Sequence, residues 1–135
     1  MYNDYTYLYI EDDPLSRDVM RLIMENAMGI ETLTMFENSA DFAERIQALP
    51  QQPDLILLDI HLKPHDGFAI LETLRSLPEY AETKIVAVTA SVMNEEVERL
   101  RTSGFNGAIA KPLSVQTFPE LIERILHGET IWHIA

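Results

Sequence analysis

Cysteine is absent from all 135 residues. That removes disulfide frameworks, thiolate nucleophiles and zinc–thiolate sites. Positive charge is scarce: 10 Lys and Arg stand against 22 Asp and Glu, a formal charge of −12. Such a chain repels phosphate backbones and anionic lipid, so neither nucleic acid nor a membrane surface is an expected partner. Any anionic substrate must be received through a cation. Long apolar runs are missing as well. The longest are broken by Asp or Pro and fall far short of the roughly 20 residues that cross a bilayer. The opening Met1-Tyr2-Asn3-Asp4-Tyr5 has no basic or apolar signal-peptide region, so no export signal is expected and the cytoplasm is the expected compartment.

What is present is ordinary globular material, 47% hydrophobic and 24% charged, in a length that suits one domain. No repeat or Ser/Gly linker interrupts it. Apolar strand-like runs alternate with helical segments. The strands are expected at Tyr5–Ile10, Thr32–Phe36, Asp54–Leu58, Lys84–Val88 and Gly107–Ala110. The first, third and fourth are continuously apolar, as parallel strands covered on both faces must be. Thr32-Leu33-Thr34-Met35 alternates, which suits an edge strand.

Between the strands the period becomes helical. Asp13 before Pro14 reads as an N-cap with proline at the first helical position. Leu15, Val19, Leu22, Ile23 and Ala27 then form one apolar stripe, and Met20, Met24 and Met28 are expected to pack around this helix. Phe42, Ile46 and Leu49 mark a second helix, stopped by Pro50. Phe68, Leu71 and Leu74 mark a third, entered from Asp66-Gly67. Val92, Val97 and Leu100 mark a fourth, ending near Gly104. In the fifth, Thr117 and Glu120 have capping-box spacing, Leu121, Ile122 and Ile125 follow, and Gly128 closes it. The fold class is therefore α/β, a flavodoxin-like (βα)₅ with a doubly wound, five-stranded parallel sheet of order 2-1-3-4-5. The domain is expected over residues 1–128. The pattern assigns nothing to the tail 129–135, which holds the one tryptophan, Trp132.

In such a sheet the ligand crevice lies at the carboxyl ends of the first and third strands, where the winding reverses. Here those ends carry Glu11-Asp12-Asp13 and Asp59, with Thr89 and Lys111 ending the fourth and fifth strands. A cofactor phosphate would meet a glycine-rich loop at this place. This loop is acidic instead, which suits a hard dication such as Mg²⁺. Asp13 is accounted for by its capping role, but Glu11, Asp12 and Asp59 crowded together without a cation would only repel. Lys111 precedes Pro112 in what reads as a fixed turn, with a cis bond open to it.

The chain resembles the receiver domain of two-component response regulators. The likeness rests on Tyr9-Ile10-Glu11-Asp12-Asp13-Pro14, on Leu57-Leu58-Asp59-Ile60-His61-Leu62 leading to Asp66-Gly67, on Val88-Thr89-Ala90 and on Ala110-Lys111-Pro112. It runs from about Tyr5 to His127, in the family's order. The resemblance implies a stand-alone phosphorelay switch, not an enzyme with an outside product. Asp59 is implied to accept a phosphoryl group. Asp12, Asp59 and the backbone carbonyl of His61 are implied to hold Mg²⁺, with Glu11 acting through water, while Lys111 and the Thr89 hydroxyl contact the phosphoryl group. The implied partners are a sensor histidine kinase or histidine phosphotransfer protein and a downstream protein target, met through the face of the fourth helix, fifth strand and fifth helix. The His61 imidazole is expected at the rim, and His65, His127 and His133 in solvent.

Two departures from the family stand out. Proline in the loop after Asp59 comes one position late, at Pro64, and the fifth-strand place that usually holds a switch aromatic is Ala108. Phe105 is expected to point elsewhere. Ala108 leaves room beside the strand that a partner side chain could fill, with switching carried by Thr89 and residues 90–94. Three other readings compete. An aspartyl-phosphate phosphatase would need a second aspartate where His61 stands. A flavin mononucleotide carrier would need a Ser/Thr/Gly loop after the first strand. A receiver-like interaction module that is never phosphorylated is the alternative that sequence leaves open.

Overall fold

A computed structural model describes residues 1–90 and 93–134. Five strands and five helices alternate: β1 Tyr7–Ile10, α1 from Pro14 with a π-helical end Leu22–Ala27, β2 Leu33–Phe36, α2 Phe42–Gln47, β3 Leu55–Asp59, α3 Gly67–Ser76, β4 Lys84–Thr89, α4 Asn94–Thr102, β5 Gly107–Ala110 and α5 Phe118–Leu126. The tail adds a sixth strand, β6, at Ile131–His133. All pairings are parallel and the order is β2-β1-β3-β4-β5-β6. The five expected strands thus hold the expected order, and β2 is an edge, but β5 is not. Val92, expected on the fourth helix, lies outside the described residues. Among the described residues no helix is long and apolar enough to cross a membrane.

Every residue of β1 and β3 is buried, which is why their sequences are unbroken apolar runs. Alternation sends them to two cores. Leu8, Ile10, Ile56, Leu58, Ile85, Ala87 and Ala108 meet Phe42, Phe68, Leu74 and Leu100, from α2, α3 and α4. Tyr7, Tyr9, Leu55, Leu57, Val86, Val88 and Ile109 meet Met20, Met24, Phe118 and Ile122, from α1 and α5.

Two helix expectations need correction. In α1 the buried side chains are Met20, Ile23, Met24 and Met28, whereas Leu15 and Leu22 are 70% and 59% exposed. From Leu22 on, a stripe drawn at 3.6 residues per turn does not survive the π-helical end, where each turn takes up an extra residue; Leu15 stands ahead of it, in the first turn of the α-helical part. The row at spacing four, Met20 to Met28, faces the sheet, and unbranched methionine fills the irregular gap there. At α5, Thr117 makes no side-chain cap bond. The Ser114 hydroxyl accepts the N–H groups of Gln116 and Thr117, both at 3.2 Å, so a turn ahead of the helix replaces the capping box.

The sixth strand depends on Gly107. A Cβ there would sit 2.4 Å from the Ile131 carbonyl oxygen, so only glycine lets the two backbones approach this closely. Ala108 is then paired with Trp132, whose ring packs on the same core. The room beside Ala108 is taken by a side chain of this chain, not left for a partner's. Arg101 of α4 covers the Trp132 ring at 5.0 Å, and Phe105 turns away to meet Phe68 edge-on, at 6.0 Å.

Candidate functional site

The strand ends bring the expected residues together. Glu11 follows β1 by one residue, Asp59 ends β3, Thr89 ends β4 and Lys111 follows β5 by one. Tyr9, Leu57 and Ile109 face the α1–α5 core. Glu11, Asp59 and Lys111 each come two positions after one of these, on the same side of the sheet.

Local packing fixes the loops that carry these groups. Asp13 accepts the Ser16 N–H at 3.0 Å and its hydroxyl at 2.7 Å, so it caps α1 and turns away from the site. After β3, Gly67 permits the return. A Cβ on it would fall 2.6 Å from the Asp59 carbonyl oxygen, and its N–H donates to Ile60 O at 2.8 Å. Asp66 caps α3 by accepting from the Ala69 N–H at 2.9 Å. The intervening loop is pinned by buried Ser39, whose hydroxyl donates to His65 O and accepts from His65 N–H, at 2.6 and 2.8 Å. Both Lys63–Pro64 and Lys111–Pro112 are cis.

Carboxylate oxygens of Glu11, Asp12 and Asp59 lie within 4.8 Å of one another, with Asp12 the most open of the three. Burial, and next the hydrogen bond and charge of Glu11, push the Asp59 carboxyl up to about 7; Lys111 works against them. The Lys111 ammonium contacts Glu11 Oε1 and stands 3.7 Å from Asp59 Oδ1. It also lies 3.3 Å from the Ser16 hydroxyl. The Lys111 N–H donates to Thr89 O at 2.8 Å, tying the two strand ends to each other, and Thr89 is fully buried.

Two site contacts are not apparent from sequence. The Tyr9 hydroxyl donates to Glu11 Oε1 at 2.9 Å; the two-residue spacing on one strand face is the signal that could have revealed it. The His61 imidazole is exposed at the rim, as expected, and its Nε2 lies 3.1 Å from Glu96 Oε1 on α4. Nothing in the spacing of residues 61 and 96 announces that pair. His65, His127 and His133 are exposed. An apolar groove of about 340 Å³ runs past the site between Leu15, Val19, Pro112 and Leu113.

The response regulator receiver domain family matches residues 7–124. Over 119 residues the chain is 34% identical to the polar-differentiation response regulator DivK of Brucella anthropi, covering 88% of this chain and 94% of that protein. The signal transduction histidine-protein kinase BarA of Escherichia coli is 27% identical over 126 residues, 93% of this chain and 13% of that longer protein. Among solved structures, the signal receiver domain of a DNA binding response regulator from Colwellia psychrerythraea has a TM-score of 0.78 at 25% identity. It covers 92% of this chain and 99% of that one. The receiver domain of sensor histidine kinase PA1611 from Pseudomonas aeruginosa, with a magnesium ion coordinated in its active site cleft, has a TM-score of 0.79 at 22% identity. The shares covered are 92% and 98%.

Proposed function

We propose that this chain, which belongs to the response regulator receiver domain family, is a phosphorylation switch that accepts a phosphoryl group on Asp59. The observation that carries the reading is one arrangement. Three carboxylates converge within 4.8 Å at the switch point of the sheet, and a lysine ammonium stands 3.7 Å from one of them. A carboxylate beside a cation is a nucleophile whose attack on phosphorus is helped by charge neutralisation.

The donor set fits Mg²⁺: hard oxygen ligands, with open Asp12 leaving space for the waters that this ion retains. Asp12, Asp59 and the His61 backbone carbonyl would hold it, with Glu11 acting through water. When bound, the ion neutralises the crowded carboxylates and the charge on the transferring phosphoryl oxygens. An Asp59 carboxylate oxygen attacks the phosphorus of a phosphohistidine. The P–N bond breaks and its electron pair returns to the imidazole nitrogen, which takes up a proton; Asp59 becomes an acyl phosphate. Lys111 then pairs with the phosphoryl oxygens, and the Thr89 hydroxyl moves to bond one of them. Hydrolysis restores Asp59, so the chain turns over its own modification and releases no product from an outside substrate.

The phosphodonor would be a sensor histidine kinase or a histidine phosphotransfer protein. Exposed Leu15 and the groove beside Pro112 offer its docking helix an apolar landing next to Asp59. Output would go to a protein target on the α4–β5–α5 side, where β6 now forms the edge and Trp132 replaces a β5 aromatic. The deciding experiment is incubation with acetyl phosphate and Mg²⁺ followed by intact mass. One phosphoryl mass is expected, and none on Asp59→Asn. A wild-type chain that takes no phosphoryl under these conditions is an unphosphorylated interaction module instead.

A further inference from the structure

Glu11 is 1% exposed, and its charge is held by few donors. Oε1 receives both the Lys111 ammonium and the Tyr9 hydroxyl, while Oε2 receives the Asp13 N–H at 3.3 Å. Two donors thus share one oxygen, and they differ in freedom. Lys111 is on a flexible stem, part exposed, with a second carboxylate, Asp59, 3.7 Å away. Tyr9 is wholly buried in the middle of β1, its ring packed in the α1–α5 core. One donor can leave and the other cannot.

We propose that Tyr9 is a positioning residue of this site: its fixed hydroxyl keeps the Glu11 carboxylate hydrogen-bonded while Lys111 leaves Glu11 for the phosphoryl oxygens on Asp59. The proposal rests on the phosphorylation reading and adds to it a residue to which the resemblance assigns no role. Without Tyr9, the buried carboxylate that Lys111 leaves would keep only the long Asp13 N–H contact on its other oxygen. An under-satisfied buried charge is costly, a penalty that would fall on the phosphorylated state alone. A second donor already in place reduces that cost, and so lets Lys111 move. A phenol keeps its proton at neutral pH, so the hydroxyl is available as a donor. The hydroxyl also orients the carboxylate whose bound water would face the metal.

Tyr9→Phe tests this, since it keeps the ring and removes only the donor. Wild-type and variant chains are phosphorylated with acetyl phosphate and Mg²⁺, freed of donor, and followed by intact mass. The expected result is a steady-state occupancy or phosphoryl lifetime reduced roughly tenfold, the scale of one hydrogen bond to a charged group. The same substitution in a Glu11→Gln background, where no buried charge is left behind, is expected to change either quantity less than about twofold. Equal occupancy and lifetime in wild type and Tyr9→Phe overturns the proposal while leaving Asp59 as acceptor. An equal loss in both backgrounds overturns it too, because the effect then does not pass through Glu11. So does a Tyr9→Phe chain that fails to fold by circular dichroism, which would make the hydroxyl structural. A wild-type chain that takes no phosphoryl removes the phosphorylation reading, and this proposal with it.

Discussion

Ala108 and Trp132 lie directly opposite each other across the β5–β6 ladder. A methyl group on one strand and an indole on the next fill a single space on the α4 side of the sheet. The small residue is therefore matched to a large one on the neighbouring strand, and the large one belongs to the tail, which the family match over residues 7–124 does not reach. With Arg101 of α4 over the indole, the tail is clasped to two of the three elements of the expected output face, β5 and α4.

Gly107 is the point at which this tail can be released. A side chain there must displace the Ile131 carbonyl, which would lie 2.4 Å from its Cβ. Gly107→Val is expected to free β6 and to lower stability by about 1–3 kcal/mol, the usual scale of overpacking. Because Trp132 is the one tryptophan, its emission should shift to the red in the folded variant. An unshifted emission maximum would mean that β6 tolerates the side chain by moving as a unit.

Asp59 sets a pH dependence with a definite sign. Its carboxyl is raised from 3.8 to about 7 in the folded chain. Between those values the folded state keeps a proton that the unfolded state has released, so stability falls as pH rises through this window, and the contribution is gone above about pH 7. Without added metal, Asp59→Asn should therefore gain on wild type as pH rises from about 4 to 7.5, by at most a few kcal/mol. Urea melts at several pH values in EDTA measure it. A constant difference between the two proteins across this range would show that burial and the neighbouring carboxylates do not raise the Asp59 carboxyl.

The strands, their order and the residues at their ends were readable because parallel strands covered on both faces leave long apolar runs, and because ligands gather at a switch point that the order defines. Glu11, Asp12, Asp59, Thr89 and Lys111 could be placed from that alone. The tail could not. Ile131-Trp132-His133 is too short to show a period, and its partner site is a glycine whose meaning depends on a neighbour 24 positions away in the register of Gly107 with Ile131. The core face of α1 was misread from Leu22 on because a π-helical end changes the period there. The lysine's place between Glu11 and Asp59 depends on distances of a few ångströms, which strand alternation does not resolve.

Arg75 was likewise invisible in sequence, though its guanidinium ties three segments together. It donates to the carbonyl oxygens of Tyr80, Ala81 and Thr83, and to Gly104 O and the Asn106 side chain. Arg75→Met leaves several of these acceptors without a donor and is expected to cost about 2–4 kcal/mol. Lysine should recover less than half of it, because a point charge cannot span the fork. Denaturant midpoints decide, and full recovery by lysine would show that charge alone matters there.

Lys111 gives the last expectation, which separates its resting role from its role with phosphate. In the resting site its ammonium lies between Glu11 and Asp59, on the Glu11 side. Two carboxylates about 5 Å apart repel by roughly 3 kcal/mol at an effective dielectric of ~20. Lys111→Ala removes the cation that offsets this and should lower metal-free stability by about 2–4 kcal/mol. A dication held by the same carboxylates would supply the missing charge, so saturating Mg²⁺ should raise the melting temperature more in Lys111→Ala than in wild type. Once phosphorylated, however, the variant lacks the group that pairs with the phosphoryl oxygens. It should accept phosphate from acetyl phosphate, but show little of the hydrogen-exchange change in α4 and β5 expected of wild type. Melts with and without Mg²⁺ test the first half and exchange the second. An equal Mg²⁺ shift in both proteins would place the lysine's charge outside the carboxylate cluster's balance, and a normal exchange response would remove it from the switch.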